Sequence, residues 1–410
     1  MKKWLITLSI IVVLGTISSA TLAGHVYYNE LKTYEDYDKK DLSLENLKSI
    51  YIKSDAPIEI HPTKGKPYVE FTQSYTDIVG IAPKYELEVQ EKEDTTYIDL
   101  EQVKGMSISI GVKENKANLV VYLPEKDIEK LVVDEYSYSY YYRNKKIVDL
   151  QNINVKELNL NVLNSEIKLN GSYNKVEIDA HSTTLNMESK VPSEVKLSGV
   201  TKQDLNGQFE RIVVCDNSYE VNINSANESI VELNCNNSNV RLEGKYEEIN
   251  IDGQDNRIDV RSETVCKLST KGYDNTINAD GAFETINMQE EQGKIEVKTT
   301  MLPKSIQMIG HTFSSIFSLT LPSNISGYTL RCTLARDDYY DDQDTYEINQ
   351  RIEEGCHFRS EFENIEKEVK DNGIEYKYGD GKIPITLNVA QNTELNIIDG
   401  GYSSAVTGKN

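Results

Sequence analysis

Five histidines, His25, His61, His181, His311 and His357, are spread so that no two share one helix face. A metal site or nucleophile–base pair built on them would need convergence from distant parts of the chain. Gly-x-Ser-x-Gly, the phosphate loop and the dinucleotide fingerprint are all missing from the sequence. No catalytic residue, no metal and no cofactor is therefore expected. Two groups of residues could still touch a partner. Tyr136, Tyr138, Tyr140 and Tyr142 alternate with Ser137, Ser139 and Tyr141, so on a strand the four rings share one face. Tyrosine gives a large amphipathic contact at low entropic cost, which suits a sugar or a protein; packing beneath a cap would use the same ladder. Asp337, Asp338, Asp341, Asp342 and Asp344 surround Tyr339 and Tyr340. Their spacing fits no calcium loop and reads as a solvated acidic turn. Of the five cysteines, Cys215 with Cys235 and Cys332 with Cys356 are the candidate disulfides, buried free thiols being the plainer alternative.

The elements that would position these residues follow from an internal period. Apolar pairs at i and i+2 begin at Leu158, Val176, Val195, Ile212, Val231, Ile249, Cys266 and Ile286, about 18 residues apart. A second pair begins at Ile167, Leu185, Val221, Val240, Ile258, Ile277 and Ile295, usually nine residues after the first. It degrades at Leu205, which Asn206 and Gly207 follow. Strands this short cannot make a hairpin sheet alone; stacked coil on coil at about 4.8 Å they can. The expected fold is all-β: a single-stranded parallel β-solenoid, the right-handed β-helix being favoured, with irregular β segments at both ends. A left-handed hexapeptide coil would repeat an aliphatic residue every six, and this sequence repeats pairs every nine. Three residues before the second strand stand Asn164, Ser182, Lys202, Ser218, Asn237, Asp255, Asp274 and Gln292. Asn, Asp and Ser tolerate the left-handed backbone of a tight corner. In that frame Cys215 and Cys235 fall three and four positions past the first apolar residue of adjacent coils, near enough for a disulfide. Cys332 and Cys356 flank the acidic insert and could close it.

Lys2 and Lys3 precede a stretch from Trp4 to Gly24 that carries no charge, and Glu30, Glu35, Asp36 and Asp38 follow. That run is long enough to cross a membrane and is oriented with its N-terminus in the cytoplasm. Residues 1–24 are thus read as a signal anchor or a signal peptide, with small residues at Ser18–Ala20 and Thr21–Ala23 where cleavage would occur. Residues 25–47 make an acidic linker, 48–134 an N-terminal β cap with the first coils, and 135–300 the regular solenoid. Residues 301–400 form a C-terminal β segment with the acidic insert, and 401–410 a tail. Residues 25–410 are expected outside the cytoplasm, single-pass tethered or secreted. With 66 acidic against 44 basic residues, a net charge of −22 excludes a nucleic-acid partner.

Leu119-Val-Val-Tyr-Leu-Pro124 followed by Ile128-Glu-Lys-Leu-Val-Val133, the similar Phe317-Ser-Leu-Thr-Leu-Pro322, and Tyr378-Gly-Asp-Gly381 carry a resemblance. This pattern resembles the bacterial putative adhesin domain of unknown function over roughly residues 48–398; the acidic insert after Cys332 departs from it. The resemblance implies an extracytoplasmic β-helix behind an N-terminal membrane anchor, a surface-adhesion or envelope-stress role, and no agreed catalytic residues. The expected function is an adhesin-like, cell-envelope interaction or structural module, not an enzyme, whose partners are the membrane through the N-terminal segment and a cell-wall glycan or envelope protein. A carbohydrate-active β-helix enzyme, a polysaccharide lyase or hydrolase, is the alternative, and a sensory ectodomain acting through a partner is a third.

Overall fold

The computed structural model describes residues 32–77, 84–104, 114–136, 145–215, 218–310, 315–334, 345–370, 373–389 and 393–400. The hydrophobic segment 1–24 lies outside them. Among the described residues no helix is long and apolar enough to cross a membrane. The chain is all-β. It divides into two compact units, one within residues 1–124 and 133–141, the other within 125–132 and 142–410.

The first unit mixes parallel and antiparallel pairing. Tyr68–Asp77 lies antiparallel to both Lys32–Asp41 and Glu114–Pro124. Lys84–Lys92 and Thr95–Lys104 form a hairpin turning at Glu93, which takes a left-handed backbone at φ 53°. Ser49–Ser54 runs parallel to Thr95–Lys104, and Ile58–Thr63 runs parallel to Glu114–Pro124. Alternate residues point inward, so Ile50, Ile52, Ile58, Ile60, Leu119 and Val121 are fully enclosed.

The second unit is built from parallel ladders. Leu158 lies opposite Val176, Val231 opposite Ile249, and Ile258 opposite Ile277. Between residues 154 and 299 most residues pair with one 18 or 19 positions on, a few at register shifts pair with one 17 on, and the i, i+2 apolar side chains are buried throughout. The register also repairs the two irregular places in the sequence period. Gln203 lies opposite Val221 and Leu205 opposite Ile223, so the inward pair of the degraded repeat is Gln203/Leu205. Ile249 lies opposite Leu268 and Ile251 opposite Thr270, so the next irregular pair is Leu268/Thr270 rather than Cys266/Leu268. With those two reassigned, the spacing is regular. Gln203 and Thr270 are buried polar residues in apolar columns, and the apolar pattern alone steps past them.

The corners are where the sequence is most literal. Asn164, Ser182, Asn237, Asp255, Asp274 and Gln292 all take φ between 46° and 58°, a region whose cost is lowest for Asn and Asp among residues with a side chain. Lys202 stays extended, and Gly199 at φ 66° takes the left-handed backbone in that repeat instead. At the opposite corner Gly244 has φ 120°, and a Cβ there would sit 2.2 Å from the Ser225 carbonyl oxygen; only glycine fits. Buried and half-buried amides and hydroxyls bind strand to strand. Asn256 Oδ1 accepts from Ser238 N and Asn256 Nδ2 donates to Cys235 O. Asn227 exchanges both kinds of bond with Phe209, and Thr264 does so with Tyr246. Backbone groups left unpaired at each bend find partners in these side chains.

Past Thr299 the 18-residue period ends: Ile286 lies opposite Ile306 and Ile295 opposite Phe317, 20 and 22 positions on. Gly327–Leu334 pairs antiparallel with Gly373–Gly379 and parallel with Ile383–Val389, and Ile316–Leu321 pairs parallel with Thr393–Asp399. A helix, Thr345–Gly355, follows the acidic run and packs Ile352 inward. The sequence reads here as a β segment interrupted by the acidic insert, with no helix expected. Ile348 and Ile352 stand one helical turn apart before Gly355, a signal too short to stand out among charged neighbours.

Candidate functional site

The candidate site is an interaction surface, built on strands of the second unit. Lys146–Gln151, Ser165–Gly171 and the stretch 184–189 lie in register: Lys168 is opposite Asp149 and Asn186, and Asn170 is opposite Gln151 and Glu188. Side chains between the buried ones point outward and stack in columns at about 4.8 Å. Here they edge a shallow groove of about 310 Å³, with Leu169 and Met187 in its floor. Lys168, Asn170, Asn186, Glu188, Asp204 and Asn206 supply its polar lining. The Asn170 amide donates to Glu188 Oε2 at 2.7 Å, and the Asn206 amide donates to Asp204 Oδ1 at 3.2 Å. Lys168 is held 3.1 Å from Glu166. The groove therefore offers amide and ammonium donors beside amide and carboxylate acceptors, repeated from strand to strand. Such a set can bind hydroxyl and amide groups along an extended polar chain.

An aromatic surface lies in the first unit. Tyr51 and Tyr97 face each other in register and stack at 5.3 Å with 16° between their planes. Two residues on, Lys53 lies opposite Asp99 on the same outward side. The Lys53 ammonium reaches Glu101 at 3.2 Å and lies 5.8 Å above the Tyr136 ring. Tyr136 is exposed, and its hydroxyl donates to the Asp134 carboxylate. Tyr138, Tyr140 and Tyr142 lie outside the described residues, as does the acidic run 337–344.

All five cysteines are free thiols in this structure. Asn234, not Cys235, lies opposite Cys215. The one-residue offset turns Cys235 inward while Cys215 is half-exposed, so register places that pair on opposite faces. Cys332 and Cys356 are brought together, with their sulfurs 4.0 Å apart. Among the described residues no three His, Cys, Asp or Glu side chains cluster as a metal would require.

With this geometry in place, the chain can be set beside known proteins. A family model described as a protein of unknown function, DUF3060, matches residues 233–288, a stretch that lies inside the regular ladders. Among solved structures, the chain is similar to a putative cell adhesion protein from Clostridium sporogenes, at 11% identity over 89% of this chain and 100% of that one, with a TM-score of 0.17. It is also similar to a putative adhesin from Parabacteroides merdae, at 13% identity over 70% of this chain and 89% of that one, with a TM-score of 0.23. No curated protein matches it.

The groove residues were not singled out by the sequence. Their signal is the outward position of the second strand in each repeat, where Lys168, Asn186 and Asp204 recur at 18-residue steps. Read alone, each is an ordinary surface residue.

Proposed function

We propose that this protein is an exported, membrane-tethered β-solenoid, coiled in the right-handed sense, that acts as an adhesin-like interaction module of the cell envelope and binds a hydroxyl-rich polymer such as a wall glycan. The observation that carries the reading is the groove. Its hydrogen-bonding side chains repeat at strand spacing, and its walls are short side chains rather than loops. An extended polymer meets such a surface through many weak contacts in series. The −22 charge works against an anionic polymer, which points to a neutral or partly cationic glycan. Tethering and export rest on the lysine-flanked uncharged stretch Trp4–Gly24. A right-handed coil agrees with the general chirality of parallel crossovers.

The test is cosedimentation of the full-length, detergent-solubilised protein with purified wall material. Replacing Lys168, Asn170 and Asn186 together with alanine should weaken retention about tenfold, with the β-type circular dichroism unchanged. Equal retention with an intact fold would remove the groove from the binding surface. Release of soluble sugars by the pure protein, lost on Glu188→Gln, would make it a hydrolase instead.

A further inference from the structure

We propose that Cys332 and Cys356 form the one intramolecular disulfide of this chain, closed by exchange with a disulfide oxidant that attacks at Cys356. Cys332 lies on Gly327–Leu334, fully enclosed between Ile374 of one neighbouring strand and Leu387 of the other. Cys356 opens the strand Cys356–Ser360 directly after the helix and is half-exposed. Their sulfurs stand 4.0 Å apart, and bonding closes that gap by about 2 Å, within reach of side-chain rotation. No other pairing is prepared. Cys215 and Cys235 sit on opposite faces, and Cys266 lies opposite Phe283.

The exposure difference sets the order of events. A thiolate must reach the oxidant, and of these two only Cys356 can be approached from solvent. The Cys332 contact also holds the Cys356 thiol below its ordinary range, while the Cys356 contact and burial push Cys332 up. The Cys356 thiolate attacks one sulfur of the oxidant's disulfide, forming a mixed disulfide and expelling one thiolate. Cys332 then gives up its proton to water and attacks Cys356 Sγ, which expels the second thiolate. Two thiols have become one disulfide, and the oxidant's disulfide has taken the two electrons. The bond would fasten Gly327–Leu334 to the end of the helix Thr345–Gly355, closing the segment between them. In the cell, meeting such an oxidant rests on the export proposed above; the exchange itself does not.

The purified full-length protein is incubated with oxidised glutathione, then unfolded in the presence of one alkylating label, reduced, and treated with a second. The first label should reach Cys215, Cys235 and Cys266 only, and the second should mark Cys332 and Cys356, linked in the non-reduced peptide map. Cys332→Ser should trap glutathione on Cys356, whereas Cys356→Ser should leave Cys332 unmodified, both with unchanged circular dichroism. First-label marking of all five thiols, or a link through Cys215 or Cys235, overturns the pairing; glutathione on Cys332 in the Cys356→Ser protein overturns the order of attack. Because the oxidant is supplied, these outcomes are independent of where the protein resides, which is read separately from the accessibility of residues 25–410 to protease on wall-stripped cells.

Discussion

Glu290 occupies a position that Gly253, Gly272 and Gly310 hold in the register of neighbouring strands. The missing side chains leave room for its carboxyl group. Glu290 is fully enclosed; Oε2 accepts from the Asn275 amide at 2.9 Å, and Oε1 has no hydrogen-bond partner. Burial, opposed by the Asn275 amide and the nearby Thr270 hydroxyl and reinforced by the charge of Asp252, pushes its pKa from 4.5 up to about 7. Between those two values the folded chain holds a proton that the unfolded chain has released. Stability is therefore complete below pH 4.5 and falls as pH rises through 7, by about 3 kcal/mol from this residue. Glu290→Gln keeps the shape without the charge. Urea midpoints of parent and variant should converge near pH 4.5 and separate towards pH 8, the variant being the more stable. Parallel profiles across that range would show that Glu290 stays ionised in the fold.

At the scale of the element, the corner is held from within by side-chain amides. Asn275 Oδ1 accepts from Asn256 N at 3.0 Å, and its Nδ2 donates to Gly253 O and to Glu290 Oε2, each at 2.9 Å. Asn275→Ala strips a partner from the buried Asn256 N–H, at about 1–3 kcal/mol, and one from the half-buried Gly253 carbonyl, at somewhat less. The variant should lose about 2–4 kcal/mol in urea unfolding with its β content retained; a loss under 1 kcal/mol would mean the corner is hydrated. Such corners were largely legible beforehand, because left-handed backbone is chemically selective and Asn164, Asn237, Asp255 and Asp274 advertise it. Gln203 and Thr270 were not, because hydropathy cannot announce a polar residue in a core column; only the register does. The antiparallel pairings of the first unit were equally hidden, since Tyr68-Val-Glu-Phe71 alternates alike whichever way its neighbour runs. The groove was hidden for a third reason. Outward side chains obey no hydrophobic pattern, and Lys168 becomes part of a surface only when Asp149 and Asn186 are known to flank it.

At the scale of the whole molecule, repeated ladders make length and register separable quantities. In the proposed coil each repeat touches only its neighbours, so stability is a sum over coils and their interfaces. Asn239 lies opposite Glu220 on one side and Arg257 on the other. Deleting residues 239–256 joins Ser238 to Arg257 and restores the same ladder one coil shorter, with Ile258 and Val260 replacing Val240 and Leu242. Removing Asn250 alone is the opposite case. It sits outward between Ile249 and Ile251, both buried; without it the next residue changes side, so Ile251 is expelled and Asp252 is driven inward. An apolar side chain is lost from the core and a carboxylate is buried in its place, together worth several kcal/mol. The loss of 18 residues should thus leave cooperative unfolding with a midpoint close to the parent's, and the loss of one should abolish it or lower it steeply. Thermal and urea unfolding of the two deletions decide the matter. If the 18-residue deletion unfolds while the single deletion is tolerated, these strands are not interchangeable rungs of one coil, and the solenoid reading fails with them.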